Sequence, residues 1–349
     1  MNALLRAEKV PAATRAALAL LCGVVAGFIT YQKNVLEPTP RDFEQVWFAA
    51  RSILAGVNPY PHVGPGLALD WPHPLLYPLP AGVIAIPLAP LPIGTATFLF
   101  SVLGGFALAW ALMEYGYGPL FGFFSMPVRA AFEVVQWSPL LAAAAIVAPL
   151  GLLLVAKPTL GAAILFARPS RWAFIGAAVF GGIAFLVEPG WVQHWLDAIA
   201  RNNVEWAPTV PYRAPITFIG GPLVMLALLR WRRPEARLVA ALVCVPQTLV
   251  MYEAVPLFLV PRTLLQAAGL VALSHAGHFW VRTQLPPGYL ESLNYSLVGQ
   301  AMIWSLFLPC TVLVLRRANV GDIPAWLERS VARWPEWLRG APNSIADKT

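Results

Sequence analysis

Apolar runs of about 15–20 residues recur along nearly the whole chain, and they carry few charges. A run of that length approaches or crosses the hydrocarbon core of a bilayer as a helix. Only 12% of the 349 residues are charged and mean hydropathy is +0.64. A soluble globular domain carries about 25% charged residues. A transmembrane β-barrel would show short alternating segments instead. The chain therefore reads as an all-α polytopic integral membrane protein.

Candidate spans fall near residues 13–31, 78–92, 94–113, 119–135, 139–156, 172–187, 215–230, 237–254, 257–276 and 296–315. With one short or re-entrant segment within 256–295, about 9–11 membrane segments are expected. The 34 prolines crowd the span ends and interiors, as at Pro80, Pro87, Pro90 and Pro92. Broken helices persist at membrane depth only where protein or a water-filled cavity satisfies the freed backbone groups. That favours a protein with an internal cavity. No internal repeat is visible.

Net charge is +7. Its distribution speaks to orientation rather than to nucleic acid, for which no basic run with interleaved aromatics is present. Arg6/Lys9/Arg15, Arg168/Arg171, Arg230/Arg232/Arg233/Arg237 and Arg316/Arg317 belong on the cytoplasmic side by the positive-inside rule. Residues 32–77 and 188–214, the latter with Trp191, His194, Trp195 and Trp206, then form two extracytoplasmic loops. Residues 1–320 read as one membrane domain. Residues 321–349 read as a Trp/Arg-rich interfacial tail. The N-terminal apolar stretch lacks a clear small-residue cleavage site and reads as a retained first helix.

Cys22, Cys244 and Cys310 lie in apolar runs with no CxxC spacing, so no metal site and no disulfide framework is expected. His275 and His278 have no carboxylate at useful spacing. Asn294-Tyr295-Ser296 fits a glycosylation sequon only weakly.

One carboxylate stands out. Phe43, Val46, Trp47, Ala50 and Leu54 fall on one face of a helix, with Glu44, Gln45 and Arg51 off that stripe. Such a helix is expected to rest on the outer membrane surface, capped by Thr39, with Pro40 at its first position and Asp42 in its first turn. Two readings of Asp42 stay open. As a capping carboxylate it would stabilise the helix start by about 0.5–2 kcal/mol. As a general base it would take the proton from a sugar hydroxyl, a contribution of about 10²–10⁴-fold.

The same stretch carries a family resemblance. Asp42-Phe43, Trp47, Ala49-Ala50-Arg51, Leu54, Gly56 and Asn58-Pro59-Tyr60 resemble the opening signature of glycosyltransferase family 87, in the GT-C superfamily. Leu76-Tyr77-Pro78-Leu79-Pro80 and Pro87 through Pro92 resemble the proline-rich continuation. Gln136-Trp137-Ser138 resembles a G-Q-x-(N/S) element, with Val135 in place of its glycine. Lys157-Pro158 resembles the K-P that follows. The likeness spans most of residues 40–230.

The resemblance implies a GT-C-type helical bundle that transfers a hexose, mannose by family, from a polyprenyl-phosphate donor. The acceptor would be a glycolipid or polysaccharide outside the cytoplasm, at a bacterial inner membrane. Asp42 would be the general base for an inverting displacement, with neither metal nor cofactor required. Asn58, Tyr60, Tyr77, Gln136, Tyr252 and Glu253 are the implied substrate-binding positions. Arg51, Arg213 and Arg262 are candidates to stabilise the departing phosphate. Each has a plainer reading: Arg51 as a snorkelling side chain, Arg262 as a helix end, Glu253 as an interface charge. Lys157 reads first as an orientation charge, and His194 with its tryptophans as an aromatic belt. The competing classes are a transporter or lipid flippase and a non-catalytic subunit of an envelope assembly.

Overall fold

The computed structural model describes residues 10–36, 41–205, 213–248, 250–285, 295–323 and 325–342. The expectations for Arg6, Lys9, Thr39, Pro40, Trp206 and the Asn294 sequon lie outside them. The described chain is mostly helical, with one two-residue parallel strand pair, β1 (Val63–Gly64) and β2 (Leu69–Asp70).

Among the described residues, three helices are long and apolar enough to cross a membrane: Ala12–Leu36, Ile93–Tyr115 and Ser296–Leu315. Arg171–Val187 and Trp191–Val204, bent by 92°, would make a fourth if taken as one broken span. Several of the remaining apolar runs are broken. Run 78–92 divides into Leu79–Ala85 and a 3-10 turn at Ile86–Leu88. Run 119–135 divides at Ser125, and run 139–156 divides after Ala144. Pro119, Pro127, Pro139 and Pro149 each stand in the first turn of the piece they open. A proline's missing N–H and fixed φ suit a first turn and break an interior one. Against the 9–11 expected segments, the described residues hold three helices that meet the length and hydropathy of a span, or four with the bent pair, together with many shorter helices. A separate helix, Pro158–Ala167, had no counterpart among the expected spans. In the uncertain 256–295 stretch, a 3-10 run at Met251–Leu259 leads into a 20-residue helix at Leu264–Thr283.

The first two long helices are antiparallel neighbours. Asn34 bonds Thr97, Thr30 bonds Ser101, and Arg15 bonds Glu114 and the Trp110 carbonyl. Helices rise 1.5 Å per residue, so the Arg15 end and the Asn34 end lie roughly 30 Å apart. Glycine makes this closeness possible. A Cβ at Gly105 would stand 2.6 Å from the Ala26 Cβ and 3.0 Å from the Gly23 Cα. Gly105→Ala is expected to destabilise the protein by about 1–3 kcal/mol through overpacking, read as a lower melting temperature in detergent. An unchanged melting curve would show that the two helices part freely.

The helix Asp42–Leu54 packs inside the protein rather than on the membrane surface. Phe43, Val46, Ala49 and Ala50 are fully or almost fully buried, whereas Leu54 is exposed. Phe43 stacks on Phe100 with ring centroids 4.1 Å apart, and Gly82 sits against Ala49. The apolar stripe was long enough to define a helix but silent on what would cover it. Further along, the tail folds onto the basic turn near residue 232. Buried Arg232 donates to Glu328 through two hydrogen bonds of 2.6 and 2.8 Å and is almost wholly shielded from solvent.

Candidate functional site

Arg41 is the residue before the first turn of the Asp42 helix. The Glu44 carboxylate accepts from the Arg41 backbone N–H at 3.0 Å. Glu44 therefore does the work at this helix start that the sequence offered to Asp42. The Arg41 guanidinium ties the start to the first long helix through Asn34 and the Lys33 carbonyl. Asp42 is left with its carboxylate free to face elsewhere.

It faces a turn made by residues 134–136. The helix Met126–Glu133 begins at Ser125, whose hydroxyl accepts from the Val128 N–H. It ends in a turn where Gln136 N–H bonds back to the Ala131 carbonyl at 2.8 Å. That closure needs the residue before Gln136 in the left-handed region, where glycine is usual. Here the residue is Val135, with φ +55°. A β-branched side chain in that conformation is a true outlier, strained by about 1–2 kcal/mol. The turn points two groups at Asp42. The Val134 carbonyl accepts from the Asp42 N–H at 3.0 Å, and the Gln136 amide Nε2 donates to the Asp42 carboxylate.

The Gln136 side chain passes the network onward. Its Oε1 accepts from Lys157 Nζ at 3.1 Å and from the Tyr77 hydroxyl at 3.3 Å. An ammonium only donates, so this pair fixes which end of the amide faces Asp42. Lys157 also forms a 2.7 Å ion pair with Glu253 and lies over the Tyr252 ring at 4.9 Å. Thr248 bonds the Tyr252 hydroxyl at 3.2 Å. Lys157 stands at the N-terminal end of the Pro158–Ala167 helix, where the helix dipole disfavours a cation. Glu253 and Gln136 compensate for that placement.

These groups line a cavity of about 470 Å³. Its other walls are Gln45 of the Asp42 helix, Trp71, His73 and Leu76 through Pro78, the helix face Trp195/Ile199/Asn202/Asn203, and Pro246, Gln247, Thr248 and Val250. Its size falls within the usual range for small-molecule sites, roughly 300–1,000 Å³. Burial pushes the Asp42 carboxyl up to about 6, against the opposing pull of the Lys157 charge and the Gln136 hydrogen bond; Glu253 adds a smaller upward push. A carboxyl so tuned is half ionised near pH 6 and mostly ionised at pH 7, where it can still take up a proton. Burial also lowers His73, keeping its imidazole neutral at pH 7.

Of the positions expected to bind substrate, Tyr77, Gln136, Tyr252 and Glu253 line the cavity with Asp42. The others lie outside its lining. Asn58 Oδ1 accepts from the Tyr60 N–H, and the buried Tyr60 hydroxyl donates to the Tyr77 carbonyl at 3.2 Å, so both support the wall from behind. Arg51 is exposed and stacks on Trp47. Arg213 is exposed, although its backbone pairs with that of Gln247. Arg262 pairs with Glu235 at 2.5 Å and lies over Tyr115, beside the Arg15–Glu114 bridge. It therefore sits at the end of the long helices opposite Asp42, where it cannot reach a phosphate in the cavity.

The sequence reading gave Lys157 first to orientation and passed over Gln45, His73, Asn202 and Gln247 as site residues. Lys157 had a signal, a cation followed by proline after an apolar run, but that pattern equally marks a membrane edge. Trp195, assigned to an aromatic belt, donates its indole N–H to the Leu76 carbonyl at 2.9 Å and forms part of the wall. Among the described residues no cluster of metal-ligating side chains is present. No protein-family model, curated protein or solved structure matches the chain.

Proposed function

We propose that the chain is a GT-C-type membrane glycosyltransferase that moves a hexose from a polyprenyl-phosphate carrier to a glycolipid or polysaccharide hydroxyl. The observation that carries this reading is the Asp42–Gln136–Lys157 chain on one cavity wall. It supplies a base whose affinity for protons suits neutral pH and a cation within one amide of it. The ordered motifs of residues 40–230 add the family resemblance. Val135 adds to it in a specific way, because its left-handed backbone is one that a glycine, as in the family pattern, adopts without strain.

In this reading the acceptor oxygen forms a bond to the anomeric carbon as its proton passes to the Asp42 carboxylate. The bond from that carbon to the phosphate oxygen breaks, and its electron pair leaves with polyprenyl phosphate. Configuration inverts. Lys157 offsets the charge that develops on the departing phosphate. Tyr77 and Gln136 hold the two charged groups in register, and the donor's hydrocarbon lies among the short helices.

The test is a transfer assay with purified protein, radiolabelled polyprenyl-phosphate mannose and a membrane lipid extract. Label is expected in an extractable glycolipid or polymer. The kcat/KM value is expected to fall about tenfold per pH unit below pH ~6, as Asp42 becomes protonated. Absence of transfer from mannose and from every other lipid-linked hexose would overturn the proposal. It would favour a proton-coupled transporter, a reading that the buried Lys157–Glu253 pair beside a titrating Asp42 also supports.

A further inference from the structure

A second charged cluster lies at the Arg15 end of the long helices, roughly 30 Å from Asp42 along their axes. Its centre is Glu235, buried, which accepts from Arg262 at 2.5 Å and from Arg317 at 3.1 Å through a single carboxylate oxygen. Arg168 reaches the Tyr115 hydroxyl at 3.5 Å, and Arg233 donates to the Ala318 carbonyl at 2.5 Å. Two guanidinium groups thus crowd one oxygen of Glu235, whose other oxygen is buried without a partner, while Arg168 and Arg233 have only neutral acceptors among the described residues. The neighbouring acids are engaged elsewhere, Glu114 with Arg15 and Glu328 with Arg232. The Arg262 Nε is buried and has no hydrogen-bond partner. Burial first, and then the Arg262 charge, lowers the proton affinity of Arg233, the expected sign of crowded cations.

The surroundings are apolar and open. Phe121, Phe166 and Leu265 are exposed within a few residues of the cluster, and residue 118 packs directly on the Leu264 backbone. A surplus of arginine donors at the end of membrane-length helices, next to exposed hydrocarbon, matches a phosphodiester that carries acyl chains.

We propose that Arg168, Arg233, Arg262 and Arg317 bind the phosphate of an anionic phospholipid headgroup, with its acyl chains along the Phe121/Leu265 surface. Guanidinium groups suit this ligand because their planar donors engage two phosphate oxygens at once. Basic pockets between membrane helices recognise anionic headgroups on the same principle. The site is separate from the Asp42 cavity and does not depend on the transfer reading.

The test uses the full-length protein, delipidated in a maltoside detergent. Melting is followed against added dioleoyl phosphatidylglycerol, dioleoyl phosphatidylcholine or inorganic phosphate. Phosphatidylglycerol is expected to raise the melting temperature in a saturable way, and phosphatidylcholine is not. Arg168→Gln and Arg233→Gln are each expected to weaken the apparent phosphatidylglycerol affinity by about fivefold. Glu235→Gln is expected to strengthen it, whatever it does to the baseline melting temperature, because it removes the competing carboxylate. Equal shifts with phosphatidylcholine would overturn the proposal. So would wild-type lipid affinity in both arginine variants, or a full shift with inorganic phosphate alone.

Discussion

Asp42→Asn is expected to lower hexose transfer by about 10²–10⁴-fold while raising the melting temperature at pH 8. The two effects have one cause. Burial holds the Asp42 carboxyl at about 6, well above its unfolded value. Between pH ~4 and ~6 the folded protein binds more protons at this residue than the unfolded chain does. Stability therefore declines as pH rises through that window. Above it, the folded state carries a charge it disfavours, by on the order of 1–3 kcal/mol. Asparagine removes that charge and still accepts from Gln136. The stability gain should be present at pH 8 and vanish below pH ~4, where both proteins are neutral at this position. Wild-type transfer by the asparagine protein would sink the base assignment. A stability gain that persisted at pH 3 would sink the account of its charge.

Lys157→Met is expected to cost about 3–5 kcal/mol of stability, because it leaves Glu253 buried without its partner. Lys157 and Glu253 side chains are only 15% and 5% exposed, so water cannot replace the lost interaction. The double variant Lys157→Met/Glu253→Gln is expected to recover most of that loss, since no unpaired charge then remains from the pair. Chemical denaturation in detergent measures both. The single variant should also move the acid limb of transfer upward from pH ~6, because the Lys157 charge is the chief influence favouring ionised Asp42. A Lys157→Met protein as stable as wild type would refute the buried-pair description. Equal losses in the single and double variants would do the same.

Period and proline placement made the helical, membrane-directed character of the chain legible. The length of the spans was less so, because hydropathy reports apolar runs and not the breaks that Pro127 or Pro139 introduce within them. At the site, Asp42, Tyr77, Gln136, Tyr252 and Glu253 were singled out by resemblance and orientation, and they share one cavity. Lys157, although it matched the K-P pattern, was read first as an orientation charge, since a lone cation after an apolar stretch has the same local pattern at a membrane edge as in a buried pair. Only packing against Glu253, 96 positions later, distinguishes them. Arg262 shows the converse. Its charge within an apolar region suggested a phosphate contact and its proline neighbour a helix end, and the antiparallel long helices place it at the end away from Asp42. The helix start was offered to Asp42, whereas Glu44, two residues on and read only as lying off the apolar stripe, takes that place. Which of them closes it was set by the direction of residues 134–136, encoded some 90 positions away.

Asp42 and its amide partner are separated by 94 residues. At typical rates of synthesis, a ribosome needs roughly 5–20 s to cover that interval. Throughout it, the nascent Asp42 is an ordinary hydrated acid beside a membrane helix, ionised at any physiological pH. Docking of the 134–136 turn then removes its water and raises its proton affinity. The raised proton affinity of the carboxylate is thus a late product of assembly, and a ribosome stalled before residue 136 displays the acid without its amide partner.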